Sequence, residues 1–241
     1  LEVFELEPLL GIIVPVYNEG ANIEATLLAI EQKIHTPHRI HIVYDFDQDN
    51  TLPVVKKMHQ NGLPVELLRN PSPGVAHAIR TGLSNASGDY LLVTMADLSD
   101  DYAIVDQMCR LMSQGYDIVC GSRYMKGGKQ IGGPFLKKQF SRTAGLTLKY
   151  LASLPVHDVT NSFKLYRKSV VANIDIESES GFEIGMEIVV KAHFAGYKVT
   201  ELPCIWTCRQ AGRSRFKMFR WLPKYLKWYF YALNRTLCKT H

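Results

Sequence analysis

Three short stretches of the chain concentrate carboxylates. Glu19 closes Pro15-Val16-Tyr17-Asn18-Glu19, Asp45, Asp47 and Asp49 crowd residues 45–51, and Asp97, Asp100 and Asp101 crowd residues 95–101. Carboxylates held together repel one another, so such a cluster needs a divalent cation or hydrogen-bond donors such as nucleoside hydroxyls and base N–H groups. A single acid can instead cap the helix that follows it, as Asp100 or Asp101 could. The cations gather elsewhere. Residues 118–157 hold no acid and carry Arg123, Lys126, Lys129, Lys137, Lys138, Arg142 and Lys149. Residues 202–241 are also free of acids and carry Arg209, Arg213, Arg215, Lys217, Arg220, Lys224, Lys227, Arg235 and Lys239. Against a net charge of only +5, that segregation points to an anionic ligand or surface.

These groups can act together only if the fold brings them to one place. With 241 residues, 46% of them hydrophobic, the chain can bury a sizeable core, which excludes disorder, collagen and a disulfide-stapled miniprotein. The β-branched runs 10–16 and 39–44 flank a segment with Ile23, Leu27, Ile30 and Ile34 at helical spacing, a β-α-β unit. Helix over 52–60, strand over 65–69, helix over 75–85, strand over 90–95, helix over 102–113 and strand over 117–121 continue the alternation. A Gly-rich loop then leads to a basic helix around 136–152, a strand near 162–166, a helix over 182–195 and a strand over 198–205. The pattern predicts an α/β fold, a mostly parallel central sheet with helices on both faces. One domain over 1–215 and a C-terminal segment over 216–241 are expected. In open parallel sheets, ligands bind beyond the carboxyl ends of the strands, where the three acidic stretches fall.

Other chemistries lose support. There is no GxGxxG after the first strand, no GxxxxGK[ST] and no G-x-S-x-G. His77, His157 and His193 stand apart, and Cys204 and Cys208 have no second pair at ligand spacing. Five cysteines in no regular framework suggest reduced thiols and a cytoplasmic setting. No apolar run reaches the roughly 20 residues of a membrane span. Residues 216–237 mix Phe, Trp, Tyr and Leu with Arg and Lys, the composition of an interfacial amphipathic helix or of a terminal helix packed on the domain. Peripheral attachment to the inner face of a membrane is therefore one expectation.

In chain order, Val14-Pro15-Val16-Tyr17-Asn18-Glu19, the acidic loop 45–51, Ala96-Asp97-Leu98, Gly121-Ser122-Arg123-Tyr124 with Gly127-Gly128, and Ser141-Arg142 resemble the GT-A (Rossmann-like) glycosyltransferases of family 2. The resemblance continues through 154–166, 181–187 and 196–203 to Arg209 and Gly212-Arg213-Ser214-Arg215. The branch most resembled is the dolichol-phosphate (polyprenyl-phosphate) mannosyltransferase type. The resemblance implies that Pro15, Tyr17, Glu19, Asp45 and Asp47 hold the nucleotide of the donor, with Ser99 where the family usually has Gln. Asp97 would carry Mg2+ or Mn2+ under the diphosphate. Arg123, Arg142, Arg209, Ser214 and Arg215 would grip the acceptor phosphate and the departing diphosphate, a task suited to planar guanidinium groups. Glu187 would lie below the sugar pocket. The chain departs from the family pattern at Met95, which stands where the first acid of Asp-Ala-Asp is usual, and in the 45–51 loop, which lacks the glycines.

The resemblance thus implies inverting transfer of a hexose from a GDP- or UDP-sugar to a polyprenyl phosphate, through an oxocarbenium-like transition state. A phosphate acceptor is already dianionic at pH 7 and needs no base. A saccharide hydroxyl would need one, from Asp100, Asp158 or Glu183. Alternatives are transfer to such a hydroxyl and a non-catalytic nucleotide-binding role. No nucleic-acid partner is expected, because the basic tail carries no recognised nucleic-acid motif.

Overall fold

A computed structural model describes residues 9–209 and 218–239. The first half alternates as its sequence pattern requires: β1 (Leu10–Val16), α1 (Ile23–Lys33), β2 (His38–Tyr44), α2 (Thr51–Gln60), β3 (Val65–Arg69), α3 (Val75–Asn85), β4 (Tyr90–Val93), α4 (Val105–Ser113) and β5 (Ile118–Ser122). A single 3-10 turn at Tyr102–Ile104 opens the segment read as one helix from 102. The second half holds β6 (Lys129–Ile131), α5 (Phe135–Leu151), β7 (Lys164–Arg167), α6 (Lys168–Ala172), α7 (Ile184–Phe194), β8 (Val199–Pro203), β9 (Ile205–Thr207) and α8 (Met218–Lys239).

Seven strands form one sheet in the order β3-β2-β1-β4-β7-β5-β8, and β7 alone runs antiparallel to its neighbours. Its reversed direction has a functional consequence. The segment entering β7, residues 158–163, arrives at the same rim as the carboxyl ends of β1, β2, β4 and β5. Alternate side chains of β1 enter different cores. Ile12 and Val14 pack with α1 and α4 residues such as Leu27 and Met108, whereas Ile13 packs with α3 and α7 residues such as Ile79 and Ile188. Each face of the sheet is thereby covered by helices, as a parallel sheet requires.

Three departures from the sequence reading shape the rim. The strand expected over 90–95 ends at Val93, because the buried carboxylate of Asp100 accepts hydrogen bonds from Thr94 Oγ1 (2.8 Å) and the Met95 amide (3.1 Å). The strand expected over 198–205 is split. Beyond Pro203 the chain leaves the large sheet, and β9 pairs in parallel with β6, a three-residue strand hidden in the Gly-rich run. Helix α5 also lies close to the segment before β7: a Cβ on Gly145 would stand 2.0 Å from the His157 carbonyl oxygen, so only glycine permits this approach.

Helix α8 packs on the domain through one face. Trp228 is buried and donates from Nε1 to Ser178 Oγ (3.0 Å), Ala232 is buried beside it, and the Tyr229 hydroxyl donates to Thr147 Oγ1 on α5 (3.0 Å). Phe230 and Leu237 face outward. No described helix is long and apolar enough to cross a membrane.

Candidate active site

The carboxyl ends of β1, β2 and β4 open into a cleft of about 1250 Å3 that continues between α5 and α8. Pro15, Tyr17, Glu19, Asp45, Asp97, Ser99, Arg123 and Arg209 line it. The acidic loops and the second-half arginines thus meet, although 112 residues separate Asp97 from Arg209.

The loops after β1 and β2 are stitched to one another. Asp49, almost fully buried, accepts from the Asn18 amide (2.9 Å) and from the Thr51 amide (2.8 Å), and Thr51 Oγ1 accepts from the Glu19 amide (2.9 Å). Asp45 accepts from Asn70 Nδ2 (2.7 Å) and the Gly74 amide (2.9 Å), which fixes its carboxylate at the cleft wall. Tyr17 stands half exposed at the mouth, edge-on to Phe46 with ring centroids 5.2 Å apart. Asp47 lies apart from these groups: its carboxylate pairs with exposed Arg69 (2.7 Å) and is not among the residues lining the cleft.

Asp97 lies at the centre, in a loop where Leu98 takes a positive φ of 57°. Its Oδ1 accepts from the Ser99 amide (3.2 Å), and its Oδ2 accepts from Arg209 Nε (3.1 Å) and Nη2 (2.9 Å). The same Nη2 reaches Glu19 Oε1 (3.1 Å). Behind this loop burial raises the Asp100 carboxyl to about 7, and it touches Thr94 and Met95 rather than the cleft.

Arg123 is a cleft residue with most of its guanidinium already engaged. Nε and Nη2 clasp both oxygens of buried Asp158 (2.6 and 2.9 Å), and Nη2 also meets Ser141 Oγ and Thr160 Oγ1 (3.0 and 3.1 Å). Desolvation opposes its charge, but the Asp158 carboxylate outweighs this and holds the guanidinium protonated. Arg142 does not enter the large cleft. With Lys129 and Lys138 it lines a smaller basic hollow of about 350 Å3 that shares Arg123. Glu187 is fully buried, accepts from the amides of Glu177 (2.6 Å) and Ser178 (2.8 Å) and pairs with Lys191 (2.8 Å), so it anchors a loop next to Met186, which lines the cleft. Ser214 and Arg215 lie outside the described residues.

Lys137 was missed by the sequence reading. It sits on the cleft side of α5, one residue before Lys138, which faces the smaller hollow. Burial lowers its ammonium to about 8, helped by the charge of Arg123. A phosphate monoester is dianionic above its second pKa of about 6, so between pH about 7 and 9 the lysine, and not such an anion, would change charge. Affinity for a phosphate monoester is expected to fall as pH rises past 8, with the midpoint pushed upward by the bound anion. Titrations across pH about 7 to 9 should show that fall in the parent and a flat profile in Lys137→Arg, which stays cationic.

Among the described residues no three His, Cys, Asp or Glu side chains form a metal cluster. The donor set still suits one hard ion. Asp97 Oδ2 and Glu19 Oε1 converge on a single cationic nitrogen of Arg209, so the site accommodates one positive group, while the Met95 thioether adds no oxygen ligand.

The glycosyl transferase family 2 pattern matches residues 11–175. The dolichol-phosphate mannosyltransferase of Pyrococcus furiosus is 30% identical over 90% of this chain, which spans 64% of that relative's length. The polyprenol monophosphomannose synthase of Mycolicibacterium smegmatis is 26% identical over 85% of this chain and 79% of its own. A glucosyl-3-phosphoglycerate synthase from Mycobacterium tuberculosis, crystallised with Mn2+, uridine diphosphate and phosphoglyceric acid, shares the fold with a TM-score of 0.68. It is 13% identical, and the match covers 95% of this chain and 78% of that one. With the sequence pattern running from β1 past β7 and the acidic and basic halves meeting at one cleft, the chain belongs to glycosyl transferase family 2.

Proposed function

We propose that this protein transfers a hexose, mannose by analogy with the two named relatives, from a nucleoside-diphosphate sugar to the phosphate of a polyprenyl phosphate. The observation that carries the reading is the mixed lining of one cleft. Asp45, Asp97, Tyr17, Lys137, Arg123 and Arg209 line it, and so do Leu136 and Phe140 of α5 and Leu222, Leu226 and Tyr229 of α8. A soluble acceptor gives no use for those apolar residues, whereas an isoprenoid chain does. The exposed faces of Phe135 and Phe140 on α5, 69% and 53% accessible, would extend the same path into a lipid surface.

In this reading Tyr17 and the β1 and β2 loops receive the base and ribose, with Asp45 accepting from a hydroxyl or base N–H. A single Mg2+ or Mn2+ held by Asp97 and the donor phosphates would, when bound, neutralise charge growing on the diphosphate. Arg209 contributes a bidentate donor to the same charge. Lys137, with whatever donors Arg123 has free of Asp158, holds the acceptor phosphate. Its oxygen attacks the anomeric carbon as the bond to the diphosphate oxygen breaks, the nucleoside diphosphate leaves with the electron pair, and the anomeric centre inverts. No carboxylate base is needed for a dianionic nucleophile.

Incubation with GDP- and UDP-hexoses, a short polyprenyl phosphate and Mg2+ or Mn2+ tests this. Release of nucleoside diphosphate that depends on the lipid phosphate is the expected result. Release only with a saccharide acceptor would overturn the lipid reading, and nucleotide binding without turnover on any acceptor would overturn catalysis.

A further inference from the structure

We infer that Arg209 and a divalent cation exclude one another at Asp97, so that the nucleotide-free protein carries its own guanidinium where a metal ion would sit. The inference rests on the proposed reaction only for its purpose; the exchange itself concerns the two carboxylates and the arginine.

Each oxygen of the two carboxylates is engaged. Asp97 Oδ1 takes the Ser99 amide and Glu19 Oε2 takes Asn22 Nδ2 (2.8 Å), which orients the opposite oxygens toward Arg209. Arg209 then places two nitrogens on Asp97 Oδ2 and bridges one of them to Glu19. A Mg2+ ion bound to that oxygen at roughly 2.0–2.1 Å would lie within about 5 Å of the guanidinium, with only the Asp97 and Glu19 carboxylates to offset the charges of both cations. With Met95 in place of a second acid, the carboxylate set cannot hold both cations tightly.

The backbone fixes which part must move. The Thr207 amide donates to the Ser99 carbonyl (3.0 Å) and the Cys208 amide to the Ile131 carbonyl (2.9 Å), so the strand before Arg209 is tied to the very loop that carries Asp97. Exchange is therefore a rotation of the Arg209 side chain, not a shift of β9. A diphosphate changes the balance, because its oxygens supply further ligands to the metal and a new partner for the displaced guanidinium. Metal and diphosphate then bind cooperatively, each relieving the exclusion met by the other.

Free Mn2+ measured by electron paramagnetic resonance, with no sugar donor or acceptor present, tests the exchange. Nucleotide-free Arg209→Gln is expected to bind Mn2+ about tenfold more tightly than the parent, within the usual range of site-to-site coupling. Millimolar guanidinium chloride, far below denaturing concentrations, should restore the weaker affinity by refilling the gap. Arg209→Lys keeps the charge without bridging both carboxylates and should fall between the two; it decides the matter if the glutamine variant does not fold. Equal or weaker Mn2+ binding in both variants, or no binding in any form, would overturn the inference. Because the titration involves no transfer, its outcome is independent of whether the proposed reaction occurs.

Discussion

Asp97→Asn is expected to lower nucleotide-sugar turnover by about 10²–10³-fold, the usual cost of losing one group that stabilises charge developing in the transition state. The substitution keeps the shape of the side chain and an oxygen for the Ser99 amide, so the loop with its strained Leu98 should survive. What is lost is the negative charge that would hold a metal ion and that orients Arg209. Circular dichroism and melting temperature should match the parent while kcat collapses. The companion Asp45→Asn should behave differently. Asp45 accepts from an amide N–H and from the Asn70 amide group, and neither donor carries a charge, so its loss should raise the KM for the donor more than it lowers kcat. If Asp97→Asn retained turnover within a few-fold of the parent, the charge at the diphosphate would have to be met by Arg209 and Lys137 alone, and the metal role of Asp97 would fall.

What could be read from the chain, and what could not, follows from the range of the interactions. Strand ends are local features, so Pro15, Glu19, Asp45 and Asp97 could be placed at one rim from hydrophobic runs alone. The direction in which an individual side chain leaves a helix is less legible. Helix α5 carries cations on two adjacent edges, and composition gives no phase. The family resemblance points to Arg142; the helical turn delivers Lys137 and Ser141 to the cleft and turns Lys138 and Arg142 into the smaller hollow, which shares Arg123. Glu187 sits on a helix buried nearly all round, where an acid must find amide and ammonium partners; those partners lie in the 177–178 loop and one turn along the helix. A signal was available for that case, since an ionised group amid Ile184, Met186, Ile188 and Val189 is read more naturally as an internal anchor. Arg123 shows the opposite limit. Its position after a strand was plain, but its partner lies 35 residues away and reaches it only because β7 is antiparallel.

That partnership sets the second large effect. Asp158→Asn is expected to cost about 3–5 kcal/mol of unfolding free energy, because it leaves the Arg123 guanidinium buried without its counter-charge. Asp158 is completely buried, and Arg123 is 9% accessible. The carboxylate accepts from the Arg123 amide (3.1 Å) and the Asn161 amide (3.2 Å) as well as from the guanidinium, so it joins the end of β5 to the segment entering β7. Burial opposes its ionisation, but Arg123 and these hydrogen bonds win and hold its pKa below the usual carboxylate range. A depressed folded pKa contributes stability that is complete above the unfolded value of about 3.9 and is lost as pH falls through the folded value. The difference between parent and variant in urea unfolding should therefore be constant near neutrality and shrink only in acid. The double variant Arg123→Met with Asp158→Leu should recover much of the loss, since an apolar pair removes both buried charges. Its turnover separates two roles for Arg123. If the double variant is stable yet inactive on a phosphate acceptor, the guanidinium serves substrate as well as structure. Should Asp158→Asn instead unfold at the same urea concentration as the parent, Arg123 must be solvated from the cleft, and the ion pair would be incidental to a phosphate-binding arginine.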